Sequence, residues 1–269
     1  MIFEPFTLNK KINQLQQFID EANNIVFFGG AGVSTESGVP DFRSKKGLYN
    51  EHDKEYAQYE PEYLLSSYCL YDNPKVFYKY YRDKLDARNI EPNITHIKLA
   101  ELEKSHNLTI VTQNVDGLHQ KAGSKNVLEI HGTAQVNYCR RCGREYPADY
   151  IFTCPDEIPL CKACANEENE YCPVDKAYIR PRVSLYGEFL PPAYKTAVKK
   201  IKEADLLIIG GTSLAVAPAN GLLYEFMGVG KKPEGKRLVV INKGETIADE
   251  KADIVINSSL GKVFSKIQA

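Results

Sequence analysis

Two segments of the chain carry polar side chains suited to acid–base chemistry. In TIVTQNVDGLHQKAG, Gln113, Asn114 and Asp116 come directly after an apolar run. In VLEIHG, His131 stands beside a glycine that admits close approach. Such a histidine is a candidate general base, because its unperturbed pKa lies near ~6.5. The alternatives are that Asn114 and Asp116 cap a turn and that His131 is a structural histidine.

A glycine-rich segment, FFGGAGVSTESGVPDFRS, is a candidate phosphate-binding loop. Gly30 and Gly32 match the first two glycines of the pattern G-x-G-x-x-G, whereas Thr35 occupies the third position and the usual acidic partner is missing. Its backbone N–H groups could cradle a diphosphate, and the alternative is a tight strand-to-helix turn. Phe42 could cover a planar ring or a reactive carbon, and Arg43 could bind phosphate or ribose oxygens. The alternatives for these two are a core aromatic and a surface ion pair.

The cysteines favour a metal site over a disulfide framework, since six of the seven lie in one short stretch. Two C-x2-C pairs, separated by 18 residues, have the spacing of a zinc ribbon. They are Cys139, Cys142, Cys161 and Cys164. Cys172 or Cys154 could replace one of these ligands; otherwise Cys69, Cys154 and Cys172 are expected to be free thiols.

The elements that must position these side chains alternate between strands and helices. Short apolar runs without polar alternation are typical of strands buried on both faces of a parallel sheet. They are Ile25–Gly29, Leu108–Thr112, Val127–Ile130, Leu206–Gly210, Leu238–Ile241 and Ile254–Ile256. Helical stretches lie between them, for example Lys11–Ala22, Ile94–Lys104 and Ala193–Ala204. This pattern predicts an α/β fold with a Rossmann-like, doubly wound parallel sheet, in which ligands bind at the carboxyl ends of the strands.

Two regions interrupt this alternation. Residues 47–89 are tyrosine-rich with helical spacing, and residues 137–182 hold the cysteine pairs. We therefore expect one domain over 1–269 with two lobes. A large Rossmann-like lobe comes from 1–46, 90–136 and 183–269, and a smaller lobe comes from the helical module 47–89 and the zinc module 137–182.

Composition and charge limit the classes of partner. The net charge is −1 and the pI is near 6.5, which gives no electrostatic footprint for nucleic acid or an anionic membrane. The N-terminal residues MIFEPFTLNK lack a signal-peptide pattern, and no apolar run approaches the ~20 residues needed to span a bilayer. We therefore expect a cytoplasmic protein without direct nucleic-acid or membrane binding.

Taken together, the motifs resemble the sirtuin family of NAD-dependent protein deacylases. The segments GAGVSTESGVPDFRS, TQNVDGLHQKAGS, EIHG, a cysteine module, RPRVSLYGE, GTSLAVAPAN and VVINKGET occur in the order seen in that family. The resemblance covers the chain from about residue 10 to residue 265. It implies transfer of an acyl group from lysine to ADP-ribose, with NAD as co-substrate and one structural zinc on the four paired cysteines.

The resemblance also implies roles for individual residues. The NAD-binding residues would be Gly30, Ala31, Gly32, Thr35, Phe42, Arg43, Gln113, Asn114, Val115, Asp116, Gly211, Thr212, Ser213 and Asn242. Asn114 and Asp116 would assist release of nicotinamide, Phe42 would shield the ribose C1′ carbon, and His131 would deprotonate a ribose hydroxyl. The acyl-lysine peptide would pair as an added strand along Gly187, Glu188, Phe189 and Val216.

Two other functions remain open at this level. One is protein ADP-ribosylation by a sirtuin-type enzyme, and the other is a non-catalytic NAD-sensing module. FYKYYRDKL does not reproduce the Tyr-x-x-Arg spacing of desuccinylating sirtuins, so we expect acetyl or another uncharged acyl group.

Overall fold

The computed structural model describes residues 4–42, 47–48, 55–164, 177–228 and 232–269. Its larger sheet has six parallel strands: β1 (Ile25–Gly29), β2 (Leu108–Thr112), β3 (Val127–Glu129), β7 (Leu206–Gly210), β8 (Arg237–Ile241) and β9 (Ile254–Ile256). The strand order is β3-β2-β1-β7-β8-β9. This order confirms the doubly wound prediction and places the switch point between β1 and β7.

Helices cover both faces of this sheet, because neighbouring residues of each strand point to opposite sides. Phe27 packs in the core under α1 (Glu4–Glu21), α5 (Ile94–Ser105) and α10 (Leu260–Phe264). Phe28 packs on the other face, with residues of α8 (Ala193–Glu203) and α9 (Gly221–Met227). All five residues of β1, β2 and β7 are buried, as the unalternating apolar runs predict.

The helical and cysteine-bearing segments form a second hydrophobic core. The helices are α2 (Pro61–Leu64), α3 (Ser67–Asp72), α4 (Pro74–Leu85) and α7 (Asp149–Phe152). The strands β4 (Gly132–Cys139), β5 (Glu145–Pro147) and β6 (Ile179–Val183) form an antiparallel sheet in the order β5-β4-β6. Phe77 and Tyr81 of α4 pack in the same cluster as Cys139 and Ile179.

Two local features differ from the sequence expectations, and a third expectation is not tested. The first helix begins at Glu4, seven residues before the expected Lys11. The glycine-rich segment after β1 forms two 3-10 turns, Ala31–Val33 and Thr35–Ser37, and no α-helix. The expected lobe boundary at residue 137 falls inside β4, and the division into lobes stays a prediction.

A short helix, α6 (Leu118–Lys121), follows Asp116. None of the helices in the described part of the chain is both long and apolar enough to cross a membrane.

Candidate active site

The glycine-rich loop after β1 packs directly against the loop after β7. Gly30 N donates to Gly210 O at 3.2 Å, and Gly32 N donates to Gly211 O at 2.8 Å. A methyl group added at Gly32 would lie 2.8 Å from Gly211 Cα, and one at Gly30 would lie 2.7 Å from Thr212 Cβ. The closest neighbour of these glycines is therefore another loop of the same chain, and glycine is needed for that contact.

Ser34 connects the glycine-rich loop to the polar residues after β2. Its side chain is fully buried. Its hydroxyl donates to Asp116 Oδ2 at 2.6 Å and accepts from Asn114 Nδ2 at 3.0 Å. One buried serine therefore fixes the orientation of two predicted catalytic side chains.

Asp116 is held at the start of α6. Its Oδ1 accepts from Leu118 N at 2.9 Å, and its Oδ2 accepts from Ser34. Burial raises the pKa of Asp116 above its usual value, and the hydrogen bonds from Ser34 and Leu118 partly oppose that rise. The carboxylate thus depends on these donors to remain charged.

His131 follows β3 and is oriented by the backbone of the next strand in the sheet. Its Nδ1 lies 3.0 Å from Gln113 O. Because a carbonyl oxygen can only accept, Nδ1 carries the proton of the neutral ring, and Nε2 is left to accept one. Burial lowers the pKa of His131, and the bond to Gln113 O partly opposes this. The ring is therefore held neutral near pH 7, as a general base requires.

The loops after β2 and β7 are also joined by side chains. Gln113 Nε2 donates to Thr212 Oγ1 at 3.0 Å, and the same hydroxyl accepts from Leu214 N at 3.2 Å. Thr212 is buried. This link sets the distance between the polar cluster after β2 and the loop after β7.

A cleft of about 870 Å³ opens at the carboxyl ends of the strands. The predicted site residues that line it are Ala31, Gly32, Thr35, Phe42, Gln113, Asn114, Val115, His131, Gly187, Glu188, Gly211, Thr212, Ser213, Val216 and Asn242. Gly30, Asp116 and Phe189 do not line it. A methyl group at Gly30 would lie against the lining residue Thr212, and Asp116 is linked through the Ser34 hydroxyl to the lining residue Asn114. Phe189 is almost fully exposed. Arg43 lies outside the described residues.

The cleft is chemically suited to a dinucleotide. Its volume falls within the range of cofactor sites. Hydroxyl and amide side chains that follow β8 and β9, including Asn242, Ser258 and Ser259, suit ribose and phosphate oxygens. The apolar side chains Phe42, Leu65, Val115 and Leu185 line another part of the same cleft. One cavity thus combines a polar lining with an apolar one.

The four paired cysteines meet at one point between β4 and the segment before β6. Their sulfur atoms all lie within 4.8 Å of one another, with Cys139 and Cys164 Sγ 4.0 Å apart and Cys142 and Cys161 Sγ 3.8 Å apart. Tetrahedral zinc with Zn–S bonds of ≈ 2.3 Å requires sulfur separations of about 3.8 Å. The set therefore fits one zinc ion.

Other groups surround these thiols. Tyr146 Oη lies 3.0 Å from Cys161 Sγ, and Arg141 N donates to Cys139 Sγ at 3.3 Å. Cys154 does not belong to the cluster, and Cys172 lies outside the described residues. Cys69 is buried elsewhere, and that burial raises its pKa to about 11.

Residues 185–188 form the wall of the cleft that faces the second core. We call them the substrate turn, after the role that the sequence analysis predicts for Gly187 and Glu188. Tyr186 N donates to Leu65 O at 3.0 Å, and Ser67 N donates to Tyr186 O at 3.0 Å. The Glu188 carboxylate accepts from Arg180 and from Leu185 N. Its side chain is therefore engaged inside the protein, behind the wall that it helps to form.

Two residues of this site, Ser34 and Arg180, were missed in the sequence. The only available signal for Ser34 was its place inside the glycine-rich segment, and for Arg180 its place in the motif RPRVSLYGE. Neither signal identifies the residue's hydrogen-bond partner. Ser34 and Asp116, for example, are 82 positions apart in the chain.

The strand order, with a cleft at its switch point, defines a dinucleotide-binding α/β protein that carries an additional cysteine-bearing module. Within that class, residues 30–218 match the model of the Sir2 family. The chain belongs to this family.

Curated relatives span nearly the whole chain. A protein of Clostridium perfringens named NAD-dependent protein deacetylase is 47% identical over 97% of this chain and 99% of its own length. A protein of Clostridium acetobutylicum with the same name is 43% identical over 96% of this chain and 98% of its own.

Solved Sir2 structures have the same fold. One with a deacetylated p53 peptide and 3′-O-acetyl ADP-ribose is 31% identical, with a TM-score of 0.81, covering 94% of this chain and 96% of that one. Another, of Sir2Tm bound to a propionylated peptide, is 31% identical with a TM-score of 0.78, covering 95% and 96%.

Proposed function

We propose that this protein is an NAD-dependent protein lysine deacylase that transfers the acyl group of a modified lysine to ADP-ribose and releases nicotinamide. The relatives at 43% and 47% identity are named for protein deacetylation with NAD. The observation that carries the proposal in this chain is that Asn114 and a buried, neutral His131 line one cleft, while the buried Ser34 hydroxyl links Asn114 to Asp116 behind it.

NAD fits the cleft because the glycine-rich loop and the Gly211 loop meet closely at the switch point and leave hydroxyl and amide groups along the cavity. Bound there, NAD would supply an electrophilic ribose carbon, to which the acyl oxygen of the modified lysine bonds as the bond to nicotinamide breaks. Asn114 would line the nicotinamide side of the cleft, and Asp116 would hold the carboxamide. Phe42, which lines the cleft and packs against the second core, would cover the ribose carbon.

His131 moves a proton in the second half of the reaction. Its Nδ1–H bond to Gln113 O fixes the ring, so Nε2 is the atom that accepts the proton of a ribose hydroxyl. The deprotonated hydroxyl would then bond to the acyl carbon, and water would replace the lysine amine there as the amine leaves, which completes O-acyl-ADP-ribose. Because burial lowers the pKa of His131, the ring can accept this proton at neutral pH.

The acyl group that this cleft accepts is uncharged. Phe42, Val115, Leu185 and Tyr186 line the cleft and belong to, or pack against, the second hydrophobic core. A succinyl carboxylate would lose its hydration against these side chains without gaining an ion pair from them. We place the enzyme in the reducing cytoplasm because paired C-x2-C thiols that hold zinc are typical of that compartment.

The deciding experiment incubates the protein and NAD with acetyl-lysine and succinyl-lysine forms of one peptide. We expect equal amounts of nicotinamide, deacetylated peptide and O-acetyl-ADP-ribose by mass spectrometry, and faster turnover of the acetyl form. ADP-ribose attached to protein without loss of the acetyl group would instead indicate an ADP-ribosyltransferase. NAD binding with no nicotinamide release would indicate a non-catalytic module.

A further inference from the structure

A buried ion pair joins the antiparallel sheet to the substrate turn. Arg180 lies on β6, and only 8% of its surface is exposed. Its Nη2 donates to the Glu188 carboxylate, and also to Val183 O at 3.4 Å. Among the described residues, its Nε has no hydrogen-bond partner. Glu188 is therefore the main compensation for this buried positive charge.

The Glu188 carboxylate also closes the substrate turn. Its Oε2 accepts from Leu185 N at 3.0 Å, and Glu188 N donates to Leu185 O at 3.1 Å. Between them, Gly187 has φ +88°, a left-handed conformation that favours glycine. The turn is thus held by a backbone bond and by a carboxylate whose position depends on Arg180.

Without Arg180, the Glu188 carboxylate would be more stable in water than in this position. The Glu188 side chain keeps 21% of its surface exposed, so it can turn toward water. An unpaired carboxylate gains hydration by doing so, and Leu185 N would then lose its acceptor. Main-chain geometry at residues 185–188 would loosen as a result, along the wall of the cleft where a peptide strand would pair.

We infer that Arg180 is a positioning residue for the protein substrate, acting through Glu188 on the substrate turn. The inference rests on the proposed function, because it assumes that an acyl-lysine peptide binds along this turn. The described residues proposed to hold NAD follow β1, β2, β7 and β8, whereas the side-chain hydrogen bonds that leave the Arg180–Glu188 pair go to the backbone of Val183 and Leu185. Removal of the pair should therefore weaken peptide binding while NAD binding is kept.

The test compares Arg180→Met with the wild-type enzyme. We expect the KM for an acetyl-lysine peptide to rise about tenfold or more. The kcat at saturating peptide and the KM for NAD should stay within about threefold, the signature of lost binding without lost chemistry. Fluorescence polarisation of a labelled acetyl-lysine peptide, measured without NAD, should give a matching rise in Kd. Glu188→Gln, which keeps an oxygen for Leu185 N but loses the charge, should give a smaller rise in both quantities.

Arg182→Met is the matched control. Arg182 lies on the same strand and pairs with Glu145, but both side chains are about half exposed. Such a pair contributes little, so the KM and Kd for peptide should be unchanged. Zinc content and the melting temperature are recorded for every variant, and Arg180→Lys with Glu188→Gln carries the test if Arg180→Met does not fold.

Several outcomes would overturn the inference. They are an unchanged peptide KM and Kd in Arg180→Met, an equal effect in Arg182→Met, or a parallel fall in NAD affinity and kcat that indicates general unfolding. If the wild-type protein released no nicotinamide with acyl peptide, the proposed function would fail. The Kd measured without NAD would still decide the role of Arg180.

Discussion

The hydroxyl of Ser34 donates a hydrogen bond of 2.6 Å to Asp116 Oδ2 and is fully buried where it does so. The same oxygen accepts a hydrogen bond of 3.0 Å from Asn114 Nδ2. The glycine-rich loop after β1 and the polar loop after β2 therefore form a single unit at this point. A substitution that shifts either loop would therefore displace both Asn114 and Asp116, the side chains proposed to bind nicotinamide.

Replacement of Ser34 by alanine should reduce deacylation and raise the pH at which activity is lost. The change removes the hydrogen-bond partner of Asn114 Nδ2 and of Asp116 Oδ2, at a cost of about 1–3 kcal/mol. Because the hydrogen bond from Ser34 lowers the pKa of Asp116, its loss raises that pKa further. The carboxylate form then disappears at a higher pH, so the acidic limb of kcat/KM for NAD should move upward.

Ser124→Ala is the control for this variant. The Ser124 hydroxyl is also buried, but it has no hydrogen-bond partner within the described chain. Its loss should leave the pH profile in place. An unshifted acidic limb in Ser34→Ala would show that Asp116 does not control that limb.

Replacement of His131 by alanine should lower kcat by about 10²- to 10⁴-fold, the usual contribution of a general base. NAD binding should be kept and can be measured as the rise in melting temperature with NAD. In the wild-type enzyme, burial lowers the pKa of His131, so the neutral base persists as the pH falls through its ordinary value. The part of the acidic limb that belongs to His131 should therefore lie below about pH 6.5.

The matched control is His106→Ala, since the His106 ring pairs with neighbouring Ser105 and does not line the cleft. Its turnover should equal that of the wild-type enzyme. Wild-type turnover in His131→Ala would remove His131 from the mechanism.

Replacement of Gly32 by alanine should separate the two loops at the switch point. The added methyl group would lie 2.8 Å from both Gly211 Cα and Gly211 O, which are backbone atoms that cannot rotate away. Overpacking of this kind destabilises a fold by about 1–3 kcal/mol. We expect a lower melting temperature and a smaller shift with NAD. Gly221→Ala meets only Tyr194 Oη at 3.8 Å and should leave both quantities near wild-type values.

Replacement of Cys142 by alanine should abolish stoichiometric zinc and lower the melting temperature, because structural zinc contributes directly to folding. Cys154→Ala should keep one zinc per chain, since Cys154 lies outside the cluster. Tyr146→Phe should keep the metal but release it faster to a chelator, because Tyr146 Oη lies 3.0 Å from Cys161 Sγ and can donate to the bound thiolate. Zinc content by mass spectrometry and release followed with a colorimetric chelator decide these points.

The strands of the larger sheet could be predicted from the sequence because their signal is local. A short run of Leu and Ile that ends in glycine, such as Leu206–Gly210, is buried on both faces and forms β7 at those bounds. The cysteine spacing was similarly informative, since two C-x2-C pairs have few other uses. The sequence predicted that 47–89 and 137–182 share a smaller lobe, but it did not predict which side chains join them. Tyr78 of α4, for example, donates to the carbonyl of Ile179, a hydrogen bond across 101 positions.

For the candidate site too, one part could be predicted from the sequence and another part could not. The sequence by itself determined which residue types stand at the strand ends, including the glycines, Asn114, Asp116 and His131. Each of them follows an apolar run that predicts a strand, and parallel strands end at the same edge of the sheet. Only the tertiary structure decided their partners: Gly32 against Gly211, Ser34 between Asn114 and Asp116, and Arg180 on Glu188. The physical reason is that a buried polar group must find a hydrogen-bond partner, and chain separation does not restrict where that partner lies.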